Sequence, residues 1–263
     1  MANSAQVFEP PRVRCGKIPS CGLNLRVGMA DRTRKLPTKS GQAEVDAFLA
    51  KVAATPAIKA SGTRGRLIFA MDATASREPS WDRACHIQSE MFLETDSLGG
   101  LDIQLCYYRG FREFHATPWL GNSVELLAQM KDVRCSGGIT QIERVLEHST
   151  AESRTDKVNA LVFVGDCMEE DIDRLCHLAG KLGIIGVPAF MFHEGHDVAA
   201  ERTFREIARL SGGAYCRFDA SSAQQLRDLL SAVAVYAAGG RNALEDFGQR
   251  QGGIARRLTQ QFK

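Results

Sequence analysis

Leu67-Ile68-Phe69-Ala70-Met71-Asp72-Ala73-Thr74-Ala75-Ser76 decides the architecture of this chain. Five apolar residues in succession make a strand buried on both faces, as the strands of a parallel sheet are. An acid and two hydroxyls follow at alternating positions where that strand ends. Ligands of open parallel sheets gather at the carboxyl ends of the strands, so one short segment predicts both the fold class and the place of the chemistry.

Outward from it, short apolar runs alternate with amphipathic stretches, the pattern of an α/β protein with a doubly wound, mostly parallel sheet and helices on both faces. Downstream, the pattern predicts a helix from about Trp81 to Leu98 that stops at Gly99-Gly100. Leu101 to Tyr108 reads as a strand, Arg109-Gly110 as a turn, and Phe111 to His115 as an antiparallel strand at the sheet edge. Helices are expected near Ser123–Met130 and around Ile142, Val145 and Leu146, with a strand at Leu161–Val164. Leu175, Leu178 and Leu182 give the next helix its buried face, and Gly183 is placed to end it. Pro188 opens the strand Ala189–Phe192. Phe204, Ile207 and Leu210 line a helix closed by Gly212-Gly213, and Ala214–Phe218 is the last strand. Ser222 and Gln225 form a capping box for a final helix reaching about Ala238.

Upstream, Val45, Phe48, Leu49 and Val52 fall at i, i+3, i+4 and i+7 and predict a helix that packs on the body. Pro56 and the stretch Ser61-Gly62-Thr63-Arg64-Gly65 connect it to the first strand. The expected organisation is a basic, loosely ordered arm at 1–40, a packing helix and connector at 41–64, the main domain at 65–238, and a mobile polar tail at 239–263. Hydrophobic residues make up 44% of the 263, ample for a sizeable core.

The net charge of +2 conceals an uneven distribution: residues 1–40 hold eight basic against two acidic residues, and 241–263 hold five against two. The centre is therefore acidic, which disfavours a general nucleic-acid surface on the core domain and suits a cation. The basic ends leave nucleic acid, anionic lipid or the chain's own acidic body open as their partners. Met1 to Pro10 lacks the features of a secretory signal, and no run of about 18 apolar residues occurs to span a membrane. A cytoplasmic protein is expected. Most of the eight cysteines stand singly in apolar segments and read as small core residues. Cys15 and Cys21 are spaced too widely for a zinc knuckle.

Three distant segments bring oxygen donors to the same sheet edge: Asp72, Thr74 and Ser76 after the first strand, Thr140 after Gly137-Gly138, and Asp166 after Val164-Gly165. Hard oxygen donors suit Mg²⁺, or Mn²⁺ or Ca²⁺, and Mg²⁺ keeps several of its waters. With few direct anionic ligands, such an ion retains positive charge and an exchangeable position that an outside carboxylate can fill.

These residues resemble the metal-ion-dependent adhesion site (MIDAS) of the von Willebrand factor type A (VWA) family. Asp72, Thr74 and Ser76 match its Asp-x-Ser/Thr-x-Ser segment, with Thr140 and Asp166 as its separate Thr and Asp, over roughly residues 65–238. The resemblance implies a Rossmann-like VWA fold, an ion at its upper edge, and recognition of another protein that supplies an Asp or Glu carboxylate. It also implies that Thr74, Ser76 and Thr140 are direct or switchable ligands, with Asp72 and Asp166 close behind or bridged by water. Cys167 departs from the family, in which Gly is usual at this position, and its sulfur is expected to crowd the ion.

Two further clusters invite a chemical reading. Glu169, Glu170 and Asp171 read as first-turn acids of a helix, favoured by its dipole, with assistance to the cation or repulsion of acidic partners as the sharper alternative. His193-Glu194-Gly195-His196-Asp197 reads as a polar surface turn, since its spacing is not that of a helical metal-ligand pair. An enzyme is not expected. A Mg²⁺-dependent hydrolase of phosphate or ester bonds is the rival function, yet the paired aspartates of phosphotransfer and the Gly-x-Ser-x-Gly elbow are missing. No glycine follows the first strand to admit a dinucleotide. A scaffold with a structurally passive ion is the third possibility.

Overall fold

The computed structural model of the protein describes residues 42–55, 64–78, 101–218, 228 and 230–239, all within the unit Pro37–Lys263. The arm at 1–40, the connector over 56–63, the tail from 240 onward, the predicted helix at 81–98 and the Ser222–Gln225 box lie outside the described residues.

The strands are β1 (Gly65–Asp72), β2 (Leu101–Arg109), β3 (Glu113–Ala116), β4 (Ala160–Gly165), β5 (Ala189–Glu194) and β6 (Tyr215–Phe218). They form one six-stranded sheet in the order β3-β2-β1-β4-β5-β6. Every pairing is parallel except β2 with β3. The strand order reverses between β1 and β4, and at such a reversal the outgoing loops diverge and open a crevice.

Side-chain alternation sends each strand's apolar residues to two cores. On one face Leu67, Phe69 and Met71 of β1 join Ala160, Val162 and Val164 of β4 and Phe190 and Phe192 of β5. Helix α1 (Gln42–Ala54) covers them through Val45, Phe48, Leu49 and Val52, together with Leu126 and Met130 of α2 (Ser123–Lys131) and the helical residues 230–238. The Phe48 ring meets those of Phe190 and Phe192, the latter with centroids 5.3 Å apart. Ile68, Ala70, Leu161, Phe163 and Met191 face the opposite way, against α3 (Ile142–Thr155), α4 (Ile172–Ile184) and α5 (Val198–Ser211). Two-sided burial is what the unbroken apolar runs require.

Three local readings change. The edge strand starts at Glu113, two residues later than expected, because Gly110 and Arg112 both take positive φ and hold the exposed Phe111 in the turn. Gly183 lies inside α4 rather than beyond it. A Cβ there would stand 2.3 Å from the Leu210 carbonyl oxygen of α5, so this glycine lets two helices approach. His193 and Glu194 belong to β5, and His193 is fully buried rather than part of a surface turn.

Candidate metal centre

Asp72 is the last residue of β1 and is fully buried. The Thr74 amide donates to its Oδ1 at 2.7 Å and the Tyr108 hydroxyl to its Oδ2 at 3.1 Å. Burial nevertheless dominates and raises its pKa above the ordinary aspartate value, with the bonds from Thr74 opposing, Asp166 adding to the rise and Arg77 opposing it. Beyond Asp72 the chain turns sharply into a short 3₁₀ segment, and Thr74 and Ser76 bring their hydroxyl oxygens to 3.0 Å from each other.

Asp166 follows β4 directly, on the opposite side of the strand-order reversal. Its Oδ1 is buried and has no hydrogen-bond partner among the described residues. Ligand atoms of Asp72, Asp166 and Cys167 lie within 4.8 Å of one another. Burial, with the charges of Asp166 and Asp72 adding to it, pushes the Cys167 thiol up to about 12.

Thr140 is buried and bonded to the loop that carries Asp166: its hydroxyl accepts from the Glu169 amide at 3.1 Å, and its own amide donates to Glu169 Oε2 at 3.3 Å. Asp72, Thr74, Ser76 and Asp166 thus gather around the crevice, and Thr140 joins them through the 166–170 loop rather than through a direct bond to either aspartate. The acids after Asp166 divide their work. Asp171 caps α4 by accepting from the Arg174 amide. Glu170 reaches across to α3 and accepts from the amides of Ile142 at 2.6 Å and Glu143 at 2.8 Å, serving the N-terminus of a helix other than its own.

The loop ahead of Thr140 is held by close backbone approach. Ser136 pairs with Thr74 and donates its amide to Ala73 O at 3.1 Å. A Cβ on Gly138 would lie 2.0 Å from the Gly110 carbonyl oxygen. Gly138→Ala must therefore displace one backbone or the other, at a cost of about 1–3 kcal/mol. We expect it to weaken divalent-cation binding in calorimetry while near-ultraviolet circular dichroism of the core is retained. Unchanged affinity would show that the position of Thr140 does not matter.

Sequence reasoning missed three residues. Tyr108, expected only as the end of a strand, bonds to Asp72. Arg77 is 1% exposed and is paired with Glu194 at the end of β5. Burial lowers the pKa of its guanidinium, while Asp72 and Asp166 oppose that shift. His193 holds the Asp166 loop: Nε2 lies 3.3 Å from the Asp166 carbonyl oxygen and Nδ1 lies 3.0 Å from the Tyr215 hydroxyl. Because that carbonyl only accepts, the neutral ring carries its proton on Nε2, and Nδ1 accepts from Tyr215. Burial, which lowers the His193 pKa, favours this neutral form. The one advance signal was the position of each residue at or near a strand's carboxyl end.

The donor set fits a hard divalent cation. It offers a desolvated carboxylate, a buried carboxylate oxygen with no hydrogen bond, and two hydroxyls within contact.

No family model and no curated protein sequence matches the chain. Solved structures do. The SpRpn10 VWA domain is 14% identical, with a TM-score of 0.52 over 64% of this chain and 94% of that one. The fold is VWA-like. Proximal thread matrix protein 1 from the mussel byssus, with a zinc-occupied MIDAS motif, is 13% identical, with a TM-score of 0.52 over 65% of this chain and 46% of that one. The pilus adhesin SpaC from Lactobacillus rhamnosus GG in its open conformation gives 10%, 0.53, 73% and 31% respectively. The chain thus spans most of the first VWA neighbour and less than half of the other two. Among the described residues, no helix of this VWA-like domain is long and apolar enough to cross a membrane.

Proposed function

We propose that the chain is a metal-dependent protein-binding module of the cytoplasm, without catalytic turnover. Asp72, Thr74, Ser76, Thr140 and Asp166 would hold the ion, Mg²⁺ on the strength of the oxygen donors, with Mn²⁺ or Ca²⁺ as substitutes. The observation that carries the reading is the buried, unbonded Asp166 Oδ1 beside Asp72, since a desolvated carboxylate oxygen is costly unless a cation or donor meets it. When bound, the ion supplies positive charge and an exchangeable position for a partner's Asp or Glu carboxylate. The zinc-occupied MIDAS of the mussel protein, a structural neighbour, supports this reading.

The surroundings favour a protein as the carboxylate's source. Phe111, Ile139, Ile172 and Val198 are large apolar residues left exposed. Phe111 follows β2, Ile172 and Val198 open the helices after β4 and β5, and the Ile139 amide donates to Gly110 O beside Phe111. All four therefore belong to the carboxyl edge of the sheet, the edge that also carries Asp72 and Asp166. Such an edge suits a segment whose acid is flanked by apolar side chains.

Capture from native lysate in Mg²⁺, compared with the same capture in EDTA, tests the reading. We expect at least one species that is retained with Mg²⁺, lost on chelation, displaced by a peptide bearing a free carboxylate, and lost with Asp166→Ala. A set of bound proteins indifferent to chelation would leave the ion as a passive scaffold element. Hydrolysis of phosphate esters by the metal-loaded protein would establish the enzyme instead.

A further inference from the structure

We propose that Cys167 is a further ligand at the same ion site, so that the centre also takes a thiophilic divalent ion of the Zn²⁺ class and holds it more tightly than the Mg²⁺ that its oxygens alone select. The proposal rests on the reading of Asp72 and Asp166 as an ion site and adds to it a residue that the oxygen motif does not contain. Cys167 directly follows Asp166 on the loop after β4, and its sulfur is mutually within 4.8 Å of oxygens from both aspartates. Zn–S bonds are about 2.3 Å and Zn–O bonds about 2.0–2.2 Å, so even at that limit of separation the three atoms close on one ion by each moving in less than about 1 Å.

The backbone on either side of Cys167 is anchored. The Asp166 carbonyl is bonded to His193 on one side, and the Glu169 amide to Thr140 on the other. Cys167 is half-buried between those anchors, open enough for an ion to enter and covered enough to shed competing water. Cys106 and Cys216, by contrast, are fully buried in the two hydrophobic cores, away from this carboxylate pair.

Adding one thiolate to two carboxylates changes the ion the set selects. Mg²⁺ gains little from sulfur, whereas Zn²⁺ and Co²⁺ gain strongly. On binding, the S–H bond breaks, its proton passes to solvent, and the electron pair left on sulfur forms the bond to the metal. No change of oxidation state is involved. With two carboxylates and the thiolate bound, a tetrahedral ion keeps a fourth position, for which a motif hydroxyl, water and an outside carboxylate compete.

Co²⁺ titration of the full chain provides the test, because cobalt bound to a thiolate develops a sulfur-to-metal charge-transfer absorption that oxygen ligands do not produce. We expect this band in the wild type and in Cys135→Ser, and its loss in both Cys167→Ser and Cys167→Gly. Zn²⁺ affinity should fall roughly 10- to 100-fold in the two Cys167 variants, the scale on which changes around a metal alter its affinity, while Mg²⁺ affinity stays within about threefold. A band that persists in both Cys167 variants arises from other thiols and overturns the proposal. Stabilisation by Mg²⁺ or Mn²⁺ that is abolished by Asp166→Ala, without any Cys167-dependent band, would overturn it while leaving the ion site standing. No cation response in any chain would remove both.

Discussion

Arg77→Met is expected to lower the stability of the cation-free protein by about 3–5 kcal/mol, the usual consequence of removing one partner of a buried ion pair. The guanidinium is 1% exposed and Glu194 16%, so the carboxylate left behind has little water to replace its partner. Asp72 and Asp166 lose the same nearby positive charge, since both act on Arg77 electrostatically. A second effect should accompany the first. With the fixed cation gone, a soluble divalent ion becomes the nearest source of positive charge for those aspartates. Saturating Mg²⁺ should therefore raise the urea midpoint of Arg77→Met by more than it raises that of the wild type. Equal shifts would mean that Arg77 and the ion do not share a field, and an unchanged midpoint without cation would mean that the pair contributes nothing.

Asp72→Asn should separate folding from ion binding. The change preserves shape, and a rotated Tyr108 hydroxyl can accept from the new amide. Cation affinity should fall roughly 100-fold, as expected for a residue at or next to the metal. Stability without cation should move the other way. Asp72 gives up its proton less readily in the folded protein than in the unfolded chain because burial disfavours its charge. Between the unfolded and folded pKa values the native state holds the extra proton, so this residue's contribution to stability is lost as pH rises from the ordinary aspartate value through the folded one. Asparagine has no proton to lose. Urea titrations should find the variant gaining on the wild type as pH rises through that window, and the advantage vanishing below it. A difference independent of pH would refute the account.

The sheet was legible because its evidence is repetitive. Apolar runs in β1, β4 and β5 are each bounded by glycine, proline or an acid, and the intervening heptad-like spacing of Leu175, Leu178 and Leu182 fits the buried face found in α4. The aspartates at strand ends were legible for the same reason, since a charge that ends a buried run marks the sheet's edge. Their relation to Arg77 was not. An arginine one residue beyond Ser76 looks like a solvated charge, and its burial depends on Glu194, more than a hundred positions away. Glu170 misled in a similar way. Its place before α4 suggested service to that helix, but the helix it caps is selected by the packing of α3 beside it. His193 is polar by composition and buried by context, because Tyr215 and the Asp166 carbonyl satisfy both ring nitrogens. Long-range pairing of this sort leaves no periodic trace in a sequence.

Among the described strands, the sheet's two margins, β3 and β6, are four residues each. An invading strand from another copy would find few rungs to climb, and β3 would set Glu113 and His115 against it. Short, charged margins are how soluble sheets resist stacking into fibrils. Crowding this protein to high concentration should therefore promote contacts through loops before it nucleates amyloid.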